Sequence, residues 1–184
     1  AEVTASGSTN DLHRVDATGA TSREIRGFRA PSFSLTRKTL WAVDILRASG
    51  IQYDSSVFPT GFHPDYGIGD ADVRPYQIAT GLTELPIGVA EVFGRRVPCG
   101  GGGYFRLYPY ALTRWLIRSC NKHGRPVMFY LHPWELDPEQ PRVKGLPWSK
   151  RLRHYSNLGK TEDRLEQLLS DFSFTSAWKL ISER

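Results

Sequence analysis

The sequence predicts an α/β fold, and within that class a partial (β/α) barrel, on three observations. Short apolar segments alternate along the chain with amphipathic stripes of helical period, joined by connections of suitable length. Pro126 to Leu131 is a nearly continuous apolar run, the pattern of a strand covered on both faces. Arg29, Asp54 and His132 each close a predicted strand, and that is the end at which parallel α/β folds assemble their sites.

The elements follow in order. Residues 1–24 are polar and without period, so an irregular or poorly ordered segment is expected there. Ile25 to Arg29 reads as a strand halted by Ala30-Pro31. A helix follows, with Ser34 or Thr36 as cap, Leu40, Trp41, Val43, Ile45 and Leu46 as its apolar stripe, and Gly50 as its stop. Ile51 to Asp54 is a second strand. The Pro-, Gly- and Asp-rich residues 59–83 read as a long loop, and Leu85 to Val92 as a short strand pair broken at Gly88. Four glycines, 100–103, precede Tyr104 and Phe105. Pro109 opens a helix that carries Leu112, Trp115, Leu116 and Ile117 and ends at Gly124. Beyond the apolar run, residues 133–147 read as a proline-rich loop. Thr161 is placed as the cap of a helix bearing Leu165, Leu168 and Leu169, and Phe174 to Ile181 closes the chain as a strand or short helix.

Composition bounds the function. A chain of 184 residues suits one domain, or one with a small appendage, and 40% hydrophobic residues supply a core. The net charge of +5 permits an anionic partner, but the basic residues are scattered. Their densest run, Lys150 to His154, reads as a solvated face, and no basic stripe with interleaved aromatics points to nucleic acid. Cys99 and Cys120 lie without a CxxC pair, which excludes a cysteine zinc signature and favours free thiols. No apolar run is long enough to span a membrane, and Ala1 to Gly7 has no signal-peptide character. The expected location is cytoplasmic, or else undetermined.

The strand-end trio makes chemical sense. An imidazole titrating near ~6.5 can pass a proton to a leaving amine at neutral pH. A carboxylate on its other nitrogen fixes the tautomer, and a buried guanidinium holds a second carboxylate ionised. Taken singly, Arg29 also fits a structural ion pair, Asp54 a turn or cap, and His132 a core histidine. Ser34, Ser55 and Ser56 are weaker candidates for a Ser-His-Asp nucleophile, because no Gly-x-Ser-x-Gly elbow is present.

Four segments carry a family resemblance. They are Gly27-Phe28-Arg29-Ala30-Pro31-Ser32-Phe33-Ser34, Tyr53-Asp54-Ser55-Ser56-Val57-Phe58-Pro59, Gly101-Gly102-Gly103-Tyr104-Phe105-Arg106-Leu107-Tyr108-Pro109 and Phe129-Tyr130-Leu131-His132-Pro133-Trp134-Glu135. In this order they resemble the polysaccharide deacetylases, in particular the bacterial branch associated with exopolysaccharide loci and exosortase. His154 to Leu158 and Asp171 to Ser176 resemble that branch's C-terminal extension, here about 135–184. The resemblance runs from Ile25 to the end of the chain. It implies a distorted (β/α) barrel and metal-dependent removal of N-acetyl groups from a sugar polymer. It also implies roles: Arg29 orients a catalytic base, Asp54 tunes the histidine, and His132 is the general acid. Pro31, Tyr104, Phe105 and Trp134 are then expected near the substrate groove, with plain packing as the alternative.

Two motifs implied by the resemblance do not occur in this sequence, an Asp-Asp pair and two histidines four positions apart. Toward these motifs residues 1–24 offer one histidine, His13, and two aspartates that are not adjacent, Asp11 and Asp16. A zinc-type divalent metal is expected for the family, yet about three protein ligands are needed to hold one. The expectation is therefore a C-terminal portion of the enzyme, inactive alone and binding no metal by itself. It would either associate with copies of itself or require the missing N-terminal half, since a half barrel has open edges. The alternative is a non-catalytic carbohydrate-binding or scaffold remnant.

Overall fold

The computed structural model describes residues 25–61 and 66–183. The irregular segment expected over 1–24, with His13, Asp11 and Asp16, lies outside the described residues. The chain divides into two compact units, 1–87 together with 176–184, and 88–175.

The first unit is built on a four-stranded sheet. Its strands are β1 (Gly27–Phe28), β2 (Tyr53–Asp54), β3 (Tyr76–Ala79) and β4 (Leu82–Glu84), in the order β1-β2-β4-β3. The first three in that order run parallel, while β3 is antiparallel to β4. Helix α1 (Ala42–Ala48) lies between β1 and β2 in the chain. Its Val43 and Leu46 join Leu35, Ile51, Val57, Ile68 and Leu82 in the core. Burying each such side chain contributes roughly 1.5–3 kcal/mol. Gly50, at φ +82°, ends this helix as expected. Neither Ser34 nor Thr36 caps it, however: Thr36 N donates to Thr39 Oγ1 at 2.8 Å and the Thr39 hydroxyl to Ser34 O at 2.7 Å, forming turns ahead of the helix. Gly27 is required by its neighbour, since a Cβ there would lie 2.1 Å from the Tyr53 ring on β2. The expected loop over 59–83 is shorter than predicted, because Tyr76–Glu84 folds back as a hairpin through Gly81 at φ +79°. Helix α6 (Ala177–Ser182) also belongs to this unit. Ser176 Oγ accepts from Lys179 N, and the Arg26 guanidinium lies 4.3 Å from the Trp178 ring centroid.

Of the strand pair expected over Leu85–Val92, only the part after Gly88 is a strand, β5 (Val89–Val92), and it pairs in a hairpin with β6 (Arg95–Pro98), which the sequence pattern does not reveal. Phe93 and Gly94 turn it with φ of 48° and 73°, the two positive angles of a type I′ connection. Helix α2 (Gly102–Leu107) starts inside the glycine run, and α3 (Tyr110–Lys122) occupies the predicted span between Pro109 and Gly124. Helix α4 (Trp148–Tyr155) was not predicted. Helix α5 (Thr161–Asp171) was, although Thr161 is its first turn and not its cap, its hydroxyl donating to Asn157 O at 3.1 Å. The core gathers Ala90, Cys99, Phe105, Leu116, Ile117, Cys120 and Leu168. Cys99 and Cys120 are free, buried and hydrogen-bonded to one another, which raises the Cys99 thiol and lowers that of Cys120.

The apolar run 126–131 is half-buried and pairs through single bonds, not a regular ladder. Gly88 N donates to Met128 O at 3.1 Å, Tyr130 N to Gly100 O at 2.9 Å, and Gly101 bridges Tyr130 in parallel. Backbones touch here because glycines allow it. A Cβ on Gly100 would sit 2.2 Å from Met128 O and 2.7 Å from Gly88 N, both backbone atoms. Gly100→Ala is therefore expected to destabilise the protein by about 1–3 kcal/mol, read from the midpoint of urea unfolding.

Candidate functional site

Three parallel strands bring Arg29, Asp54 and Glu84 to one end of the first sheet. Phe28 is in register with Asp54, and Asp54 with Glu84; Arg29 follows Phe28 directly. The Ser55-Ser56 pair ties these ends together. Arg29 donates from Nε to Ser55 O at 2.9 Å and from its terminal nitrogen to Ser55 Oγ at 2.8 Å. Ser55 Oγ in turn donates to Leu85 O at 2.7 Å. Ser56 Oγ accepts from Ala30 N at 2.7 Å and donates to Asp54 Oδ1 at 2.6 Å. Each serine spends its one hydroxyl proton inside the fold and both are buried, which removes them as nucleophiles.

Asp54 and Glu84 are both at 0% exposure, and the sequence reading missed Glu84. Glu84 Oε1 accepts from Val57 N at 2.9 Å. The other oxygens, Asp54 Oδ2 and Glu84 Oε2, receive no donor among the described groups. Burial raises the Asp54 carboxyl above its usual range, against the pull of the Ser56 hydrogen bond. Burial, followed by the charge of Asp54, holds Glu84 well above it. Two buried carboxyls in contact cannot both ionise cheaply, so the pair carries one proton, which supplies the donor that the two open oxygens lack. Tyr76, in register with Glu84, is held neutral beside them by burial and by the two carboxyls.

The loop after Arg29 is strained. Pro31 starts a 3-10 turn, Pro31–Phe33, in which Ser32 and Phe33 have φ of 55° and 52°. Left-handed backbone at non-glycine residues costs about 1–2 kcal/mol each and tends to persist at functional loops. Phe33 is held by Phe58 and Tyr66, at ring separations of 5.9 and 5.7 Å.

The second unit holds the remaining residues singled out in the sequence. His132 is exposed, and its ring packs against two aromatic neighbours: Tyr130 presents an edge at 5.6 Å and Trp134 a face at 5.8 Å. The stack continues from Trp134 to His154 at 4.3 Å. Burial, then the Arg106 guanidinium, lower the His154 imidazole and so favour its neutral form. Behind the stack lies a buried ion pair that was also missed. Arg106 Nε donates to Glu135 Oε1 at 3.0 Å, and its Cζ lies 5.1 Å from the Trp134 ring centroid. Glu135 Oε2 accepts from His132 N at 2.9 Å, which fixes the backbone that presents the imidazole. Of the expected groove residues, Tyr104 is half-buried beside Tyr108 at 5.8 Å. Phe105 is a core residue, in edge contact with Phe129 at 5.2 Å.

Among the described residues no group of three His, Cys, Asp or Glu side chains could hold a metal ion. Asp54 and Glu84 are fully enclosed and are two carboxyls where a zinc-type centre takes about three ligands, so by themselves they do not fit one, and the expected centre would need donors from elsewhere. No helix of the described residues is long and apolar enough to cross a membrane.

These features define a mixed α/β protein with two buried ionisable centres, one dicarboxyl and one arginine–carboxylate. A family model described as a domain of unknown function (DUF3473) matches residues 55–182, and the chain belongs to that family. No curated protein and no solved structure matches the chain.

Proposed function

We propose that this chain is the C-terminal portion of a polysaccharide deacetylase-type hydrolase that cleaves carbon–nitrogen bonds of N-acetyl groups on a bacterial exopolysaccharide. The observation that carries the reading is the parallel β1-β2-β4 run, whose C-terminal ends hold Arg29, Asp54 and Glu84 together. Such a run is what a partial (β/α) barrel would contribute, and that end of the strands is where its chemistry would sit. His132 also follows a parallel bridge, Gly101 with Tyr130, and is exposed as a proton donor must be. In this reading His132 protonates the amine nitrogen as the C–N bond breaks, and Arg29 orients a base supplied from outside the described residues. Trp134, stacked on His132, would offer its face to a sugar ring.

A carbohydrate-binding or scaffold part is the second reading. The lack of a three-ligand metal group among the described residues favours it.

Acetate release from N-acetylglucosamine oligomers separates the two. The chain alone, supplied with zinc, is expected to release none. Joined to a segment that carries an Asp-Asp pair and a His-x-x-x-His pair, it is expected to release acetate, and His132→Ala to cut that rate about 100-fold or more. Turnover by the chain alone that a chelator abolishes would contradict the proposal. So would a joined protein that is indifferent to His132→Ala.

A further inference from the structure

We infer that the surface formed by residues 141–153 docks this protein onto an anionic lipid bilayer. The C-terminal end of α4 is engaged with its own unit. His154 stacks on Trp134, Tyr155 is buried, and Arg106 donates to the carbonyls of His154 and Ser156 at 2.9 Å each. Tyr155 also secures the preceding loop. Its hydroxyl accepts from Val143 N at 2.9 Å and donates to Pro141 O at 3.3 Å, while the Arg142 guanidinium lies 4.4 Å from its ring centroid. Loop and helix are thereby held as one piece.

Ahead of that end, on the helix face that Tyr155 continues and in the loop before it, the piece presents apolar groups that the fold does not use. Trp148 is 79% exposed, Leu152 57% and Val143 59%. Trp148 and Leu152 stand four residues apart and share one face of α4. Around them Arg142, Lys144, Lys150, Arg151 and Arg153 are all exposed, and no Asp or Glu occurs anywhere from 141 to 161.

That combination identifies the occupant. The cations require an anionic partner, and phospholipid headgroups attract each Lys or Arg held close to them. The three apolar side chains require a phase to enter. An acidic polymer in water would satisfy the charges and leave Leu152 and Val143 wet. A bilayer interface accepts both: tryptophan settles at headgroup level, leucine and valine reach the acyl boundary, and the cations remain among the phosphates. Eight helical residues are far too short to span, so α4 would lie in the plane of the interface.

The test is co-sedimentation of the chain with vesicles of phosphatidylcholine, alone or with about 30% phosphatidylglycerol, at moderate salt. Binding is expected to the mixed vesicles and not to the neutral ones. Trp148→Ser with Leu152→Ser leaves the charge unchanged and should weaken partitioning about tenfold or more. Lys150→Gln and Arg151→Gln should each weaken it about fivefold. Both kinds of variant lie on the surface, and unchanged circular dichroism and melting would show that the fold is intact. Three results would overturn the inference. One is no binding to phosphatidylglycerol vesicles at low salt. Another is binding indifferent to loss of Trp148 and Leu152. The third is equally tight binding to single-stranded DNA or an acidic polysaccharide that falls with the same two apolar substitutions.

Discussion

Arg106→Ala is expected to destabilise the protein by about 3–5 kcal/mol, because it strands a buried carboxylate. Arg106 and Glu135 are each 2% exposed at the side chain and pair at 3.0 Å. The arginine does more than neutralise Glu135. Its terminal nitrogen holds the carbonyls of His154 and Ser156, and its own carbonyl accepts from Asn157 Nδ2 and from Arg164. The α2 arginine thus fastens the segment that leads from α4 into α5. Removing it leaves Glu135 with the His132 N–H but no counter-charge, and leaves two carbonyls open. Glu135→Gln should cost less, since the amide oxygen still accepts from Arg106 and no unpaired anion remains. The midpoint of urea unfolding, compared for the two variants, checks the order. A small loss for Arg106→Ala would mean that water reaches Glu135 and that the pair is not sealed.

The second large effect concerns pH. Asp54 and Glu84 both have carboxyls raised above their ordinary values, so each binds its proton more tightly folded than unfolded. The stability they contribute is fully present below the ordinary carboxylate range and is lost as pH rises through the raised values. Wild-type protein should therefore lose stability between mildly acidic and alkaline pH. Glu84→Gln removes the share of that slope that Glu84 supplies and leaves the share that burial gives Asp54. The glutamine oxygen can still accept from Val57 N, and its amide supplies Asp54 Oδ2 with a donor that needs no shared proton. The variant is expected to gain on wild type as pH rises, by about 1.4 kcal/mol per unit of pKa difference removed. Glu84→Leu, by contrast, leaves Val57 N and Asp54 unsatisfied and should cost about 1–3 kcal/mol for each. Melting temperatures taken across pH 5 to 9 distinguish these cases. Parallel profiles for wild type and Glu84→Gln would show that the pair does not share a proton.

What the sequence disclosed depended on how local the physics was. Helix α3 was readable because Pro109 and Gly124 punctuate it and its apolar residues keep helical period. The ends of β1 and β2 were readable because a proline follows one and a polar serine pair the other. The two hairpins were not, since each strand has four residues or fewer and Gly81 and Gly94 resemble ordinary loop glycines. The glycine run looked like a loop, but its purpose is non-local: Gly88, Gly100 and Met128 meet across the fold. Helix α4 was hidden by charge, since its cations conceal a short turn whose one buried side chain is Tyr155.

The site was half legible. Arg29, Asp54 and His132 stood out as titratable residues at strand ends. Glu84 and Arg106 did not, although each left a signal. Both are charged residues inside otherwise apolar or aromatic stretches, Leu82-Thr83-Glu84-Leu85-Pro86-Ile87 and Tyr104-Phe105-Arg106-Leu107-Tyr108. A lone charge in such a setting must be paired when buried, and asking for its partner would have led to Asp54 and Glu135.

Acetate release by the chain joined to a segment with the Asp-Asp and His-x-x-x-His pairs, compared between wild type, Asp54→Asn and His132→Ala, tests the proposed chemistry most directly. Each substitution is expected to cut the rate about 100-fold or more while circular dichroism remains that of wild type. Acetate release indifferent to both substitutions would contradict the deacetylase reading of these residues.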